Sequence, residues 1–577
     1  MDKLAILDMG GQYCHLLARR IRDLGVYAEI LPATTPATQL KQYAGIILSG
    51  GPASVYEHNA PNVDPALFFL SPPILGLCYG HQLMAHSLHG NVQRGKTKEY
   101  GTARLTVKKS KLFAGLAAQE TVWMSHGDTI TELPPGFRVI GSTPDCPIAA
   151  MEHNNHYGLQ FHPEVTHTPA GKKMLNNFLD ICNARRDWNP EHYLDDIISA
   201  IKTRASAETT GTMKKILLFL SGGVDSMVCL ALLQKAIPGH YTAVHVDTGF
   251  MRLGESKDVQ DMVAQMGAHV NIVNAHDIFF EATRDVYDPE LKRQRIGDAF
   301  LTVFDQTLSD PAKQDWLLCQ GTIYPDTIET GGTQRAAKIK THHNRVGRIH
   351  ALIVQGKLIE PLANLYKDEV RLLGKKLGMP DNILQRHPFP GPGLAVRCLC
   401  SDEDYTTRVH DVLPLRSVGV QGDDRTYKKP YLLRTLDWTQ ANEQSTMITN
   451  SRTDVNRVVA LLYPDDIRDV HVKRASITKT RITLLQQADA LVREKLDTAG
   501  LYTQVWQFPV ILAPLSLQGG ETIILRPVLS TEAMTASVAQ LPASFLTGLV
   551  SGLASIQGID CVLYDITSKP PGTIEWE

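Results

Sequence analysis

The sequence predicts an α/β protein in three parts: a doubly wound domain, a second α/β domain built on a glycine turn, and a duplicated α+β unit. Three observations predict it. Apolar runs at 4–7, 45–48 and 74–77 each stop at glycine or small residues and lead into helical patterns such as 12–24. That alternation is the rhythm of a parallel sheet wrapped by helices. After a polar stretch at 203–213, the run 214–220 starts the alternation again, with a second strand at 243–247. Beyond residue 398 two blocks recur in the same order: 412–417 resembles 511–516, and 455–463 resembles 559–566. Such recurrence marks an internal repeat. The boundaries implied are 1–188, a linker at 189–213, 214–397, and two repeats at 398–478 and 479–577. Two repeats side by side would pack as an internal pseudo-dimer, so monomer and homodimer both fit the sequence.

Composition narrows the functional classes. A chain of 577 residues has room for several domains at about 150 residues each. Hydrophobic residues make up 43% and charged residues 20%, ordinary for a globular enzyme. The 58 basic residues nearly balance the 60 acidic ones, so no basic field favours nucleic acid or an anionic membrane. The chain begins directly with an apolar strand rather than a basic leader, and no apolar run is long enough for a membrane span. Nine scattered cysteines, an odd number, fit a reduced cytoplasmic setting better than a disulfide framework.

One cysteine stands apart. Gly76-Leu77-Cys78-Tyr79-Gly80-His81-Gln82 places Cys78 on a tight turn between a strand and a helix, the geometry that exposes a nucleophile. Phe161-His162-Pro163-Glu164 supplies a base and a carboxylate two residues apart, on one face of an extended segment. His162 would take the thiol proton, and Glu164 would hold the imidazole in the right tautomer. Backbone N–H groups of Gly51, in Ser49-Gly50-Gly51-Pro52, and of Tyr79 would receive the oxyanion. With Trp123-Met124-Ser125-His126-Gly127-Asp128, these motifs in this order resemble the class I glutamine amidotransferases over nearly all of 1–185. The resemblance implies that Gln82, Ser125 and His126 line a glutamine pocket.

A second signature follows. Ser221-Gly222-Gly223-Val224-Asp225-Ser226 ends an apolar strand and opens a helix. Its backbone N–H groups would close on an anion. Ser221 and Ser226 add hydroxyls, and Asp225 makes sense beside Mg²⁺ bridging carboxylate and phosphate. No Gly-Lys-Ser/Thr follows, so this is not a Walker loop. The string resembles the PP-loop ATP pyrophosphatases, an adenine nucleotide alpha hydrolase-like α/β fold. These cut ATP between the α and β phosphates and adenylate an oxygen of the substrate. Asp247, closing the next strand, would approach the nucleotide.

Downstream motifs choose the acceptor. Residues 320–326, 339–344, 386–393, 418–423 and the tail Thr567-Ser568-Lys569-Pro570-Pro571-Gly572-Thr573-Ile574-Glu575-Trp576-Glu577 together resemble the glutamine-hydrolysing GMP synthetases, in their longer eukaryotic-style form. The resemblance covers the whole chain. It implies a dimerisation-type C-terminal domain and synthesis of GMP from XMP, ATP and glutamine. It also implies Lys340 on a mobile lid near the phosphates, and Arg293, Asp423, Gln507, Lys569 and Glu575 around XMP.

The chain departs from the family pattern at Met227, where a hydroxyl residue is usual, and at Cys561, where an arginine is usual. Each puts one anion or subunit contact in doubt. Two alternatives stay open on residues alone: another PP-loop amidotransferase, acting on an NAD precursor or tRNA, and a catalytically silent scaffold.

Overall fold

The computed structural model describes the chain except residues 1, 12, 166, 191–192, 207–212, 310–314, 324–354, 422–423 and 531–535, and except the side chains of 96–98, 100, 420, 421, 424 and 425. Lys340 and Asp423 therefore lie outside the described residues, as does the whole lid motif at 339–344. Two compact units emerge, Met1–His192 and Tyr193–Glu577.

The first unit is built on a nine-stranded sheet. Five parallel strands run in the order Tyr27–Pro32, Lys3–Asp8, Gly45–Leu48, Ile74–Leu77, His156–Leu159. The central strands Gly45–Leu48 and Ile74–Leu77 are fully buried and apolar because helices cover a parallel sheet on both faces. The helix Cys14–Asp23 presents Leu17, Ala18 and Ile21 to one face. Beyond His156–Leu159 the sheet continues antiparallel, through Ala150–His153 and Arg138–Ser142 to a long hairpin, Asn91–Val107 with Gln119–Glu132. This antiparallel half is not part of the doubly wound pattern expected from the sequence. The hairpin's alternating pattern, seen in the buried Val122, Met124, His126, Asp128 and Ile130, has one face in the core.

The second unit holds both remaining parts. Its parallel sheet runs Val270–Asn274, Tyr241–Asp247, Ile216–Phe219, Leu317–Cys319, Leu358–Ile359. Residues read as linker instead include the helix Tyr193–Ala205, which buries Leu194, Ile197, Ile198 and Ile201. The C-terminal sheet has six strands, Ser417–Gln421, Asp424–Leu433, Val455–Tyr463, Ile559–Asp565, Glu521–Leu525, Val510–Ala513. Each half has an antiparallel outer pair and a parallel inner pair, and the halves meet antiparallel at Val459 and Asp565. The helices Ala441–Ser451 and Ala543–Ala554 occupy matching places before the two central strands. This is the pseudo-twofold arrangement of a duplicated unit. One core joins the two larger sheets of this unit, through Leu217, Val244 and Phe250 on one side, Val458 and Tyr564 on the other, and Leu485 and Val492 of the helix Lys479–Thr498 between.

Nine cysteines are free thiols, and all but the half-buried Cys400 are buried. Among the described residues no helix is long and apolar enough to cross a membrane.

Candidate active sites

Cys78 sits at the carboxyl end of Ile74–Leu77, immediately before the helix Tyr79–Ser87, at φ 49 and ψ −103. A non-glycine residue in that region is strained, and such strain gathers at functional sites. Packing holds it there. The Cys78 N–H donates to the Leu159 carbonyl at 2.7 Å, and the Gly80 N–H donates to Ser49 O at 3.1 Å. A Cβ on Gly76 would stand 2.5 Å from Gly80 O, and one on Gly80 would stand 2.4 Å from Leu48 O. Neither glycine tolerates a side chain. Tyr79 is the first helical residue, so its N–H has no intrahelical partner. The Ser49–Gly51 turn packs backbone to backbone on the 9–11 turn: a Cβ on Gly51 would lie 2.4 Å from Met9 O.

His162 closes on this elbow. A Cβ built on Gly50 would lie 3.0 Å from His162 Cε1 and 3.6 Å from Cys78 Cβ, so the three residues share one small space. His162 Nδ1 is 2.8 Å from Glu164 Oε1, and both side chains are buried. The carbonyl of His162 accepts from Thr168 Oγ1 at 2.7 Å, and Tyr13 meets the ring edge-on at 5.1 Å between centroids. Burial pushes the imidazole down, but the Glu164 charge and the hydrogen bond with Cys78 outweigh it and hold His162 well above its ordinary value.

The expected glutamine pocket divides. Ser125 reaches the site through its backbone: its carbonyl accepts from Cys78 Sγ at 3.5 Å. Gln82 is buried, and its amide donates to Asp128 O at 2.9 Å and Gln160 Oε1 at 3.1 Å. His126 is buried too, with Nδ1 2.9 Å from Asp128 O and Nε2 3.2 Å from Glu99 Oε2. Gln160, which opens the Gln-Phe-His-Pro-Glu motif and had no expected role, donates to Cys78 Sγ at 3.7 Å.

The glycine loop lies at the carboxyl end of the central strand Ile216–Phe219 and opens the helix Val224–Ala236. Ser221 Oγ accepts from Gly223 N at 3.2 Å, and Ser226 Oγ donates to Gly223 O at 2.9 Å. These bonds shape the loop. Two cations the sequence reading missed reach it. Lys367 Nζ lies 2.6 Å from Asp225 Oδ2, and Arg386 donates to Gly222 O and to Glu255 Oε1, both at 2.8 Å. No spacing rule announces such residues. Asp225 Oδ1 is buried without a protein partner. Thr322 Oγ1 donates to Glu360 Oε1 at 2.5 Å, next to Gly321, whose Cβ would lie 3.1 Å from Ser226 N. Met227 is fully buried and points into the core.

Asp247 ends Tyr241–Asp247, the neighbouring strand, and lines a cavity of about 310 Å³ with Gly249, Arg252, Ser256, His276 and Phe280. Burial raises its carboxyl, but hydrogen bonds from Ser256, Gly249 and His276 hold it below the usual range.

The C-terminal tail is not a frayed acidic end. Trp576 is fully buried, with Nε1 2.9 Å from Asp565 Oδ2. Glu575 receives Arg397 at 2.8 and 2.9 Å and Gln507 at 3.3 Å. Glu577 pairs with the buried Lys292, beside Arg293, whose Nε is buried without a partner. Arg293, Gln507 and Glu575 are thus gathered at the tail. Lys569 is half-buried and pairs its backbone with Ala536. Cys561 packs in an apolar cluster with Leu515, Leu563 and Trp576.

Comparison with known proteins accords with this layout. Residues 5–182 match the class-I glutamine amidotransferase family, and residues 494–576 match the GMP synthase C terminal domain. A probable glutamine-hydrolysing GMP synthase of Leptospira interrogans is 41% identical over 603 residues, covering 100% of this chain and 99% of that protein. Glutamine-hydrolysing GMP synthases of Streptomyces coelicolor (38% identical) and Thermobifida fusca (39%) each cover 100% of this chain and align over 98% of their own length. The chain therefore belongs to the family of glutamine-hydrolysing GMP synthases.

Proposed function

We propose that this chain synthesises GMP from XMP, using glutamine as nitrogen donor and ATP to activate the acceptor. The observation that carries this reading is the strained elbow of Cys78 against the buried His162–Glu164 pair, on a chain that also bears a PP-loop. In the first unit, Cys78 passes its proton to His162 and the thiolate attacks the carboxamide carbon of glutamine. The N–H groups of Gly51 and Tyr79 receive the oxyanion. His162 returns the proton to the leaving ammonia, and water then opens the thioester to glutamate.

In the second unit, the C2 oxygen of XMP attacks the α phosphorus of ATP and pyrophosphate leaves. Ammonia adds to C2 and AMP departs, a far better leaving group than the bare oxygen. Ser221, Gly222, Gly223, Val224 and Ser226 cradle phosphate, with Lys367 and Lys340 as counter-charge and Asp247 toward the nucleoside. Arg293, Asp423, Gln507, Lys569 and Glu575 form the XMP side. A hard divalent ion fits Asp225, since Oδ1 is a buried oxygen without a protein partner. Mg²⁺ held there with ATP would neutralise phosphate charge. The free thiols support a reduced, cytoplasmic setting.

The test measures GMP formed from XMP and ATP with glutamine or with ammonium. Cys78→Ala is expected to abolish the first and spare the second. Loss of both, or of neither, overturns the division of labour.

A further inference from the structure

Behind the glutaminase elbow, three metal-ligating side chains converge. Glu99 and His126 face each other directly across the hairpin Asn91–Val107 and Gln119–Glu132. Cys146 joins them from the loop after Arg138–Ser142. One ligand atom from each of the three lies within 4.8 Å of the others.

The hydrogen bonds around them orient lone pairs inward. His126 Nδ1 is 2.9 Å from the Asp128 carbonyl, which only accepts, so Nδ1 carries the proton. In the neutral ring Nε2 then turns its lone pair on Glu99 Oε2, 3.2 Å away. Two acceptors so placed repel unless a cation or a proton lies between them. The other oxygen of Glu99 accepts from Thr143 Oγ1 at 3.0 Å, and Thr143 Oγ1 in turn accepts from Cys146 N at 2.9 Å. A histidine donating its far nitrogen to a carbonyl, and a carboxylate steadied by a hydroxyl, are the supporting contacts of a metal site.

We propose that Glu99, His126 and Cys146 bind a borderline-soft divalent cation, Zn²⁺ being the best fit. Nitrogen and oxygen ligands about 2.0–2.1 Å from a tetrahedral ion stand about 3.3 Å apart, close to the 3.2 Å seen. Sulfur needs about 3.6 Å from that nitrogen, so Cys146 closes by about an ångström at most. Thiolate is the ligating form of cysteine, so metal entry releases a proton. Water completes the tetrahedron. The ion ties the two hairpin strands to the 143–146 turn, and its ligand His126 follows Ser125, whose carbonyl faces Cys78 Sγ. It thereby braces the strand that walls the nucleophile.

The experiment strips the full-length chain with chelator and titrates it with Co²⁺, then with Zn²⁺ as competitor. The expected result is one Co²⁺ per chain with a thiolate-to-cobalt band in the near ultraviolet, displaced by Zn²⁺. Cys78→Ala keeps the band and Cys146→Ser loses it. Thr143→Val, which removes the bond to Glu99, weakens Zn²⁺ binding about 10- to 100-fold. Should Cys146→Ser fail to fold, Glu99→Gln decides: it keeps the band but binds Zn²⁺ more weakly. A chain that shows no thiolate band, a band that survives Cys146→Ser or vanishes with Cys78→Ala, or unchanged affinity in Glu99→Gln, overturns the site. A proton on Nε2, making a plain imidazolium–Glu99 pair, produces the first of these outcomes.

Discussion

Replacing Lys367 by methionine isolates the synthetase half of the chemistry. Lys367 Nζ lies 2.6 Å from Asp225 Oδ2, and the two side chains are 34% and 23% exposed. Unit charges 2.6 Å apart attract by about 6 kcal/mol at an effective dielectric near 20. Desolvating both ions offsets much of that. A hydrogen bond between charged groups nets about 1.5–3 kcal/mol, or about 10- to 150-fold in rate when the lost contact orients a reacting group. Lys367→Met is therefore expected to lower kcat/KM for ATP by that factor, in GMP formation supported by ammonium and by glutamine alike. Lys367→Arg keeps the charge and retains part of the rate, though guanidinium geometry differs. An unchanged ammonium-supported rate in Lys367→Met, or a fall confined to the glutamine-supported rate, refutes the assignment of Lys367 to the ATP loop.

Further outcomes test other parts of the molecule. Gly80→Ala would press a methyl 2.4 Å from Leu48 O. Displacing the elbow by about an ångström costs about 100-fold in glutamine-supported synthesis, with the ammonium-supported rate retained; equal rates would show that the elbow is pliant. Asp565 is fully buried between Arg457 (2.8 Å), Arg526 (2.9 Å) and Trp576. Asp565→Asn should destabilise the second unit by about 3–5 kcal/mol in denaturant unfolding, because two buried guanidiniums lose their counter-charge; a loss under about 1 kcal/mol counts against the network. His162 is raised in the folded state, so its contribution to stability is fully present below an unfolded value of about 6.5 and lost as pH rises through the folded value. The melting difference between wild type and His162→Gln should accordingly shrink on the alkaline side; a difference that grows there contradicts the sign.

Local backbone demands leave marks in sequence, and those parts were legible. A tight strand-to-helix turn admits only glycine where backbones nearly touch, which is why Gly76 and Gly80 flag Cys78. The strands Gly45–Leu48 and Ile74–Leu77 read correctly because a strand buried on both faces is a continuous apolar run. The repeat was visible at 455–463 and 559–566 because these are the paired central strands, whose residues the core constrains most. The outer strands drift: 412–417 was matched to 511–516, whereas the observed edges are Ser417–Gln421 and Val510–Ala513.

What sequence alone determined, then, is where the short contiguous motifs stand: Cys78 on a strand-to-helix turn, His162 and Glu164 two residues apart beside it, and a glycine turn that opens a helix. Tertiary structure decided the rest. Lys367 meets Asp225 across 142 positions, and Arg397 meets Glu575 across 178. A lone lysine or arginine has no periodicity to read, so only packing selects its partner. The same holds for the partners of Gln82 and His126, whose side chains meet the Asp128 carbonyl and, for His126, the Glu99 carboxylate. It holds too for the core that joins two sheets into one unit, since burial between distant segments depends on shape and not on local pattern.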